Sequence, residues 1–308
     1  MESTLEAPVW CFERKAWPAI HVTGNDRLDF LQRISSQNFK NVQADHAVPG
    51  AFLHGNGTVI GMFMAHVQAS RVTLYCEPQS QSVIMQHLDR LHFAEQIEFQ
   101  AERRDWLEVR GRGAAAFIQN KFEDYPDPKA PWPRKVNSPR VLPAENWNGP
   151  GFLVDPSENP GPIAKMLSEE EYYLERAFHL FPRDQVDVNE SNIVLEAGLV
   201  DHVHRNKGCY PGQEVVERIY TYGNVAKKLV LLESHARELE KGSELFSNEK
   251  KVGNVTSRHT GPSSSFLYVA TVLRHHATVG NIFSLGAGQP PQLKVLKVSR
   301  TTEDESLS

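Results

Sequence analysis

The sequence predicts an α+β protein that ends in a small β-barrel. In the first part of the chain, stretches of alternating apolar and polar residues are interleaved with stretches whose apolar residues recur every three or four positions. After residue 224 the helical spacing vanishes, and β-rich stretches follow one another with turn residues between them. Between these regions, residues 123–150 hold seven prolines and read as a long connection or a pair of irregular strands.

Each element has its own signal. "AIHVTG" (19–24) alternates as a short strand does. In "NDRLDFLQRIS", Leu28, Leu31 and Ile34 fall at three-residue steps behind Asn25 or Asp26 as N-cap, which predicts a helix. "AFLHGNGTVIGMFMAHV" reads as two strands about a Gly-Asn-Gly turn, and "RVTLYCE" as a third strand. Ile84, Leu88 and Leu91 then mark a helix capped by Ser80 or Ser82. "IEFQAERRDWLEVRG" reads as paired strands and "GAAAFIQNKF" as a helix. "GFLVDP" is a strand, and Pro162 opens a short helix in "GPIAKML". The run Ser168-Glu169-Glu170-Glu171 is a capping box before "EEYYLERAFHLF". "VAKKLVLLES", "SELFSNEKKVGNVTSR", "SFLYVATVL" and "LKVLKVS" supply the barrel strands. The acidic end, 301–308, is expected to be a disordered tail. The domains are therefore expected at 1–224, 225–300 and 301–308.

Composition excludes several classes. A net charge of -5 provides no global field for nucleic acid or acidic membranes. No apolar run reaches the ~20 residues that span a bilayer, and "MESTLEAPVW" has neither part of a secretory signal. Three scattered cysteines, Cys11, Cys76 and Cys209, form no disulfide framework and no thiolate metal site. Reduced thiols in a cytoplasmic protein, without direct nucleic-acid or membrane contact, are the expectation. His202 and His204 resemble a metal fragment but lack a third ligand, so no metal site is expected. The basic stretches "RGRG" (110–113) and "PRKVNSPR" (133–140) read as solvated loops.

The chemistry concentrates in "KGCYPGQE" (207–214). Gly208 and Gly212 permit tight backbone turns, and Pro211-Gly212 lead into a helical "QEVVERIY". Cys209 then lies just ahead of a helix N-terminus, where orphan N–H groups and nearby Lys207 favour a thiolate. A buried structural cysteine is the alternative, but lysine, glutamine and glutamate are poor company for a core thiol, so a functional role is favoured.

"NKGCYPGQEVVER" (206–218) resembles the K-G-C-[FY]-x-G-Q-E stretch of the YgfZ proteins, folate-binding relatives of the glycine-cleavage T-protein. "DRLDFLQRISSQNF", "HGNGTVIGMF", "VLEAGLVDHVHRNKGCY" and "KKVGNVTS" resemble further landmarks of that family in order. The resemblance implies two ferredoxin-like α+β units and a C-terminal barrel, arranged as a ring around a folate channel. It implies tetrahydrofolate as ligand and a role in assembling or repairing iron–sulfur clusters in client enzymes, one of which modifies tRNA. By matching position, Cys209 is the reactive residue. Lys207, Gly208, Tyr210, Gly212, Gln213, Glu214 and Arg218 complete the motif as cofactor-binding candidates, and Glu196 matches the pterin-binding carboxylate. Two positions depart from the aminomethyltransferase pattern. Met62 stands where the hairpin has an aspartate, and Asn38 replaces an early aspartate. The long leader of the T-proteins is also missing. These departures favour an accessory factor over the alternative, a folate-dependent aminomethyl or methyl transferase.

Overall fold

In the computed structural model, the described residues are 9–300 apart from 123–124, 128–129, 139, 146–148, 159–164, 224, 235–237 and 262–264. The expected tail and the Pro162 helix start lie outside them. The chain divides into two compact units. One comprises Ala7–Ser168 and Asp201–Glu214; the other comprises Met1–Glu6, Glu169–Val200 and Val215–Ser308.

The first unit is built on one nine-stranded sheet. Its strands are β1 (Trp10–Thr23), β2 (His46–Leu53), β3 (Val59–Val67), β4 (Arg71–Tyr75), β5 (Glu98–Arg110), β6 (Arg134–Lys135), β7 (Val141–Ala144), β8 (Gly151–Val154) and β9 (Lys165–Met166). The order is β6-β2-β3-β4-β1-β5-β8-β7, with β9 parallel to the start of β1. β1 begins well before the expected "AIHVTG". "IEFQAERRDWLEVRG" forms the single 13-residue strand β5 instead of a strand pair. These two long strands pair along most of their length across a bulge between Arg14 and Trp17, so the α+β front is one joined sheet. Its end strands β6 and β7 are separated only by residues 136–140, which span at most ~18 Å. The sheet therefore curls back toward itself. The Lys165–Met166 part of "GPIAKML" is strand, because it pairs with Trp10 and Cys11.

Three helices cover this sheet: α1 (Arg27–Ile34), α2 (Gln81–Leu91) and α3 (Ala114–Lys121). α1 and α2 bury Phe30, Leu31, Ile84 and Leu88 against Phe52 and Phe63. α3 packs Ala114 and Ile118 on Cys11, Val109 and Phe152. The period of two along β5 turns Trp106 to the other face, where it meets Trp17, Met64 and Tyr75. Asp26 occupies the N-cap of α1 without a side-chain cap bond; its carboxylate accepts the Gln96 N–H instead, at 2.7 Å.

In the second unit, α4 (Glu169–Phe178) precedes all but the first two residues of α5 (Gln213–Tyr222) and the strands β10 (Lys227–Ser234), β11 (Glu244–Ser247), β12 (Lys250–Thr260), β13 (Phe266–Leu273), β14 (Ile282–Phe283) and β15 (Leu293–Val298). Their order is β11-β12-β13-β10-β15-β14, and Phe246 and Ser284 bridge the two ends through reciprocal 2.9 Å hydrogen bonds. That bridge closes the barrel, which removes its exposed edges. Val230, Leu232, Tyr268, Ala270, Val272, Leu293 and Val295 fill the interior at alternate positions.

Candidate functional site

The motif loop is held from below while its thiol stays open. Lys207 is buried, and its ammonium donates to the Gln32 carbonyl at 2.6 Å and to the Ser35 carbonyl. These oxygens are orphan acceptors at the C-terminus of α1, so Lys207 caps that helix. Gln32 answers by donating its side-chain amide to the Lys207 carbonyl at 2.6 Å. The Tyr210 ring lies 4.8 Å from the same ammonium and is itself buried. Lys207 thus braces the loop on α1.

Gly208 has φ +92°, and a β-carbon there would meet nothing within 4 Å. Gly212 has φ +83° and lies against the β2–β3 turn; its β-carbon would sit 2.7 Å from the His54 carbonyl. The stretch "HGNG" and the motif, distant in sequence, therefore touch. Between these anchors Cys209 is exposed and unpaired with the other thiols. α5 starts at Gln213, whose N–H donates to the Tyr210 carbonyl at 3.2 Å, so Cys209 does precede a helix. Gln213 is half-buried, while Glu214 and Arg218 are exposed. By contrast Cys11 and Cys76 are buried, and burial, aided by Glu108, pushes the Cys11 thiol up to about 12.

Residues 35–38 complete the support. The Ser36 hydroxyl donates to the His202 carbonyl at 2.6 Å, and the Gln37 amide donates to the Pro49 carbonyl at 2.6 Å and the Asp201 carbonyl at 3.2 Å. This polar run fastens the segment leading into the motif onto β2. Nothing in "SSQN" announces burial; the only signal is a polar run just where the helical period stops. His202 is buried and pushed down to about 4 by burial, whereas His204 is exposed, so the two rings share no open face. Among the described residues no three of His, Cys, Asp and Glu gather as a metal site. The basic stretches are not wholly solvated: Arg110 and Arg134 are buried, Arg110 beside Glu108 and Arg134 over Trp132 at 4.2 Å.

Burial pushes the Lys207 ammonium down to about 7. With the folded value below the free lysine's 10.5, the unfolded chain holds more protons between about 7 and 10.5. Stability therefore rises with pH across that window, by at most about 1.4 kcal/mol per pH unit. In Lys207→Met, urea midpoints measured through the same window should show a shallower rise than wild type. An unchanged slope would remove Lys207 as the source.

Glu196, in the second unit, is buried. One carboxylate oxygen accepts the Lys227 N–H at 3.0 Å and the other the Ile193 N–H at 3.3 Å. Two of its roughly four acceptor sites are thus filled, which fixes the carboxylate and leaves acceptor capacity on both oxygens.

No protein-family model matches the chain. A crystal structure of glycine cleavage system aminomethyltransferase T from Bartonella henselae superposes with a TM-score of 0.74, covering 94% of this chain and 86% of that one at 17% identity. The fold is that of an aminomethyltransferase T. In sequence, the Arabidopsis thaliana protein named "Putative transferase At1g60990, chloroplastic" is 24% identical over 289 residues, or 87% of this chain. The chain spans 66% of that relative's length. The cytoplasmic expectation thus meets a relative named for the chloroplast, and no helix among the described residues is long and apolar enough to cross a membrane. On the T-protein fold, the hairpin position expected to carry an aspartate holds Met62, buried in β3 opposite Ala51. Asn38 is buried as well, and its side-chain oxygen has no hydrogen-bond partner among the described residues.

Proposed function

We propose that this chain binds a reduced folate and serves as an accessory factor for iron–sulfur enzymes through Cys209, as the YgfZ resemblance implies. The observation that carries the reading is the motif loop. Lys207, Tyr210 and Gly212 are locked against α1 and the β2–β3 turn, and Cys209 is left exposed between them. A thiol on a braced loop can meet a reactive centre on a partner protein without first ordering its backbone. Glu196 fits the pterin, since a fixed carboxylate with free acceptor sites suits adjacent amino and ring N–H donors. When bound, a reduced folate carries one-carbon units. The protein's own part is to orient the pterin through Glu196 and to present the thiol.

Calorimetric titration with tetrahydrofolate should show micromolar-class binding by wild type. Glu196→Gln, checked for an unchanged melting temperature, should bind about tenfold more weakly, as expected for one charge-assisted hydrogen bond. Cys209→Ala should bind folate normally but fail to restore client iron–sulfur enzyme activity in cells lacking the protein. No binding by wild type would remove the folate assignment; full restoration by Cys209→Ala would remove the thiol role.

The transferase reading is favoured by one finding, the shared fold with an aminomethyltransferase. Methylenetetrahydrofolate formation from an aminomethyl donor would support it. We expect none, because Met62 puts a buried apolar side chain where the transferase hairpin is expected to have its carboxylate.

A further inference from the structure

The second unit holds a cavity of about 100 Å³ between the segment 186–192 and the barrel. That is several times the ~10–15 Å³ one water needs. Its wall is rich in donors. Lys227 and Lys241 bring two ammonium groups, Asn189, Asn192 and Asn254 bring side-chain amides, and Thr271 brings a hydroxyl. Among the described residues neither ammonium forms an ion pair or a hydrogen bond. Asp187 is the carboxylate on this wall, and both its oxygens are engaged: Oδ1 accepts the Thr256 hydroxyl at 2.8 Å and Oδ2 the Arg183 N–H at 2.9 Å. The Asn189 and Asn192 oxygens are likewise taken up, by Ser191 and by the Asn189 N–H. Acceptors on this wall are thus largely satisfied from within the protein; of its donors, the Asn192 amide also reaches the Thr271 hydroxyl at 3.4 Å, and the two lysines add positive charge to the lining.

We propose that this cavity binds a small tetrahedral oxyanion, either free phosphate or the phosphate of a phosphomonoester. The donors come from the 186–192 segment, the head of β10, the turn before β11, and strands β12 and β13, so they converge from several directions. Such an array suits a tetrahedral anion; a planar carboxylate is better matched by the flat fork of an arginine, and none lines this cavity. Lysine serves here as a point charge on phosphate. None of the lining residues belongs to the motif loop; Lys227 also donates its backbone N–H to Glu196, so Lys241→Gln, which touches no folate candidate, is the substitution that separates the two readings.

Calorimetric titration of the full chain with inorganic phosphate, at constant ionic strength set with chloride, tests this. Wild type should show saturable millimolar or tighter binding. Lys227→Gln and Lys241→Gln should each weaken it at least tenfold, while Lys250→Gln, an exposed lysine on β12, should not change it. A parallel titration with glycerol 3-phosphate separates the sources. Tighter binding than phosphate assigns a phosphomonoester, and weaker binding assigns the free ion. No saturation by either probe, or equal effects of all three lysine substitutions, overturns the site. If Lys227→Gln does not fold, exposed Lys241→Gln decides alone.

Discussion

Replacing Glu108 by glutamine should destabilise the protein by about 3–5 kcal/mol, the cost of stripping one partner from a buried ion pair. Glu108 is fully buried between two guanidinium groups. One of its oxygens accepts Arg14 at 2.7 Å, and the other accepts Arg110, itself fully buried. The guanidinium of Arg14 is further held 4.3 Å over the Trp17 ring. Glutamine keeps the shape but not the charge, so two cations would remain beside each other in the sheet's interior. The Lys251–Glu244 pair is the natural control, with both side chains about half exposed. Glu244→Gln should move stability by less than ~1 kcal/mol, because solvent screens the pair and its ordering costs entropy. Urea denaturation of both variants gives the comparison. A Glu108→Gln shift no larger than that of Glu244→Gln would show that the buried cations are satisfied without the carboxylate.

The same trio shows where reading the sequence stops. Arg110 opens "RGRG", which looks like a solvated basic loop, and Arg14, the other cation on Glu108, lies 94 positions from that carboxylate. Local composition carries no trace of that pairing. Elements with a strong local period were legible: α1, α2, the β2–β3 hairpin and the strands β10, β11, β12, β13 and β15 arise where periodicity places them, whereas the two-residue β14 carries no such signal. β1 and β5 were misjudged in length because each runs along two halves of one sheet, so its pattern changes at the bulge. At the motif, the exposed thiol ahead of a helix was legible from glycine, proline and polar neighbours. Lys207 was not. Its nearness to Cys209 suggested help for a thiolate, yet the side chain reaches α1 carbonyls more than 170 positions away. The burial of Ser35–Asn38 was equally hidden, since polar side chains are buried here to satisfy backbone carbonyls that only the fold brings near.

Gly212→Ala should disable the motif far more than Gly208→Ala, although the two glycines stand four residues apart in one loop. Both have positive φ, at +83° and +92°, so each alanine incurs about 1–2 kcal/mol of backbone strain. At Gly208 the added methyl enters open space, and strain is the whole effect. At Gly212 the methyl would meet backbone on the β2–β3 turn, with the His54 carbonyl at 2.7 Å and the Gly57 Cα at 2.8 Å. Backbone cannot rotate away as a flexible side chain can, so either the hairpin turn or the loop must move. Overpacking of this kind adds about 1–3 kcal/mol, for a total near 2–5 kcal/mol. The loop is the weaker partner, because the hairpin is fixed by the whole β2–β3 ladder. Its displacement would pull Tyr210 from the Lys207 ammonium and shift the start of α5. On the role proposed for Cys209, Gly212→Ala should therefore lose cluster-enzyme restoration in cells along with stability, while Gly208→Ala keeps most of both. Equal losses from the two substitutions would mean that backbone conformation alone, and not docking on the hairpin, sets the position of Cys209.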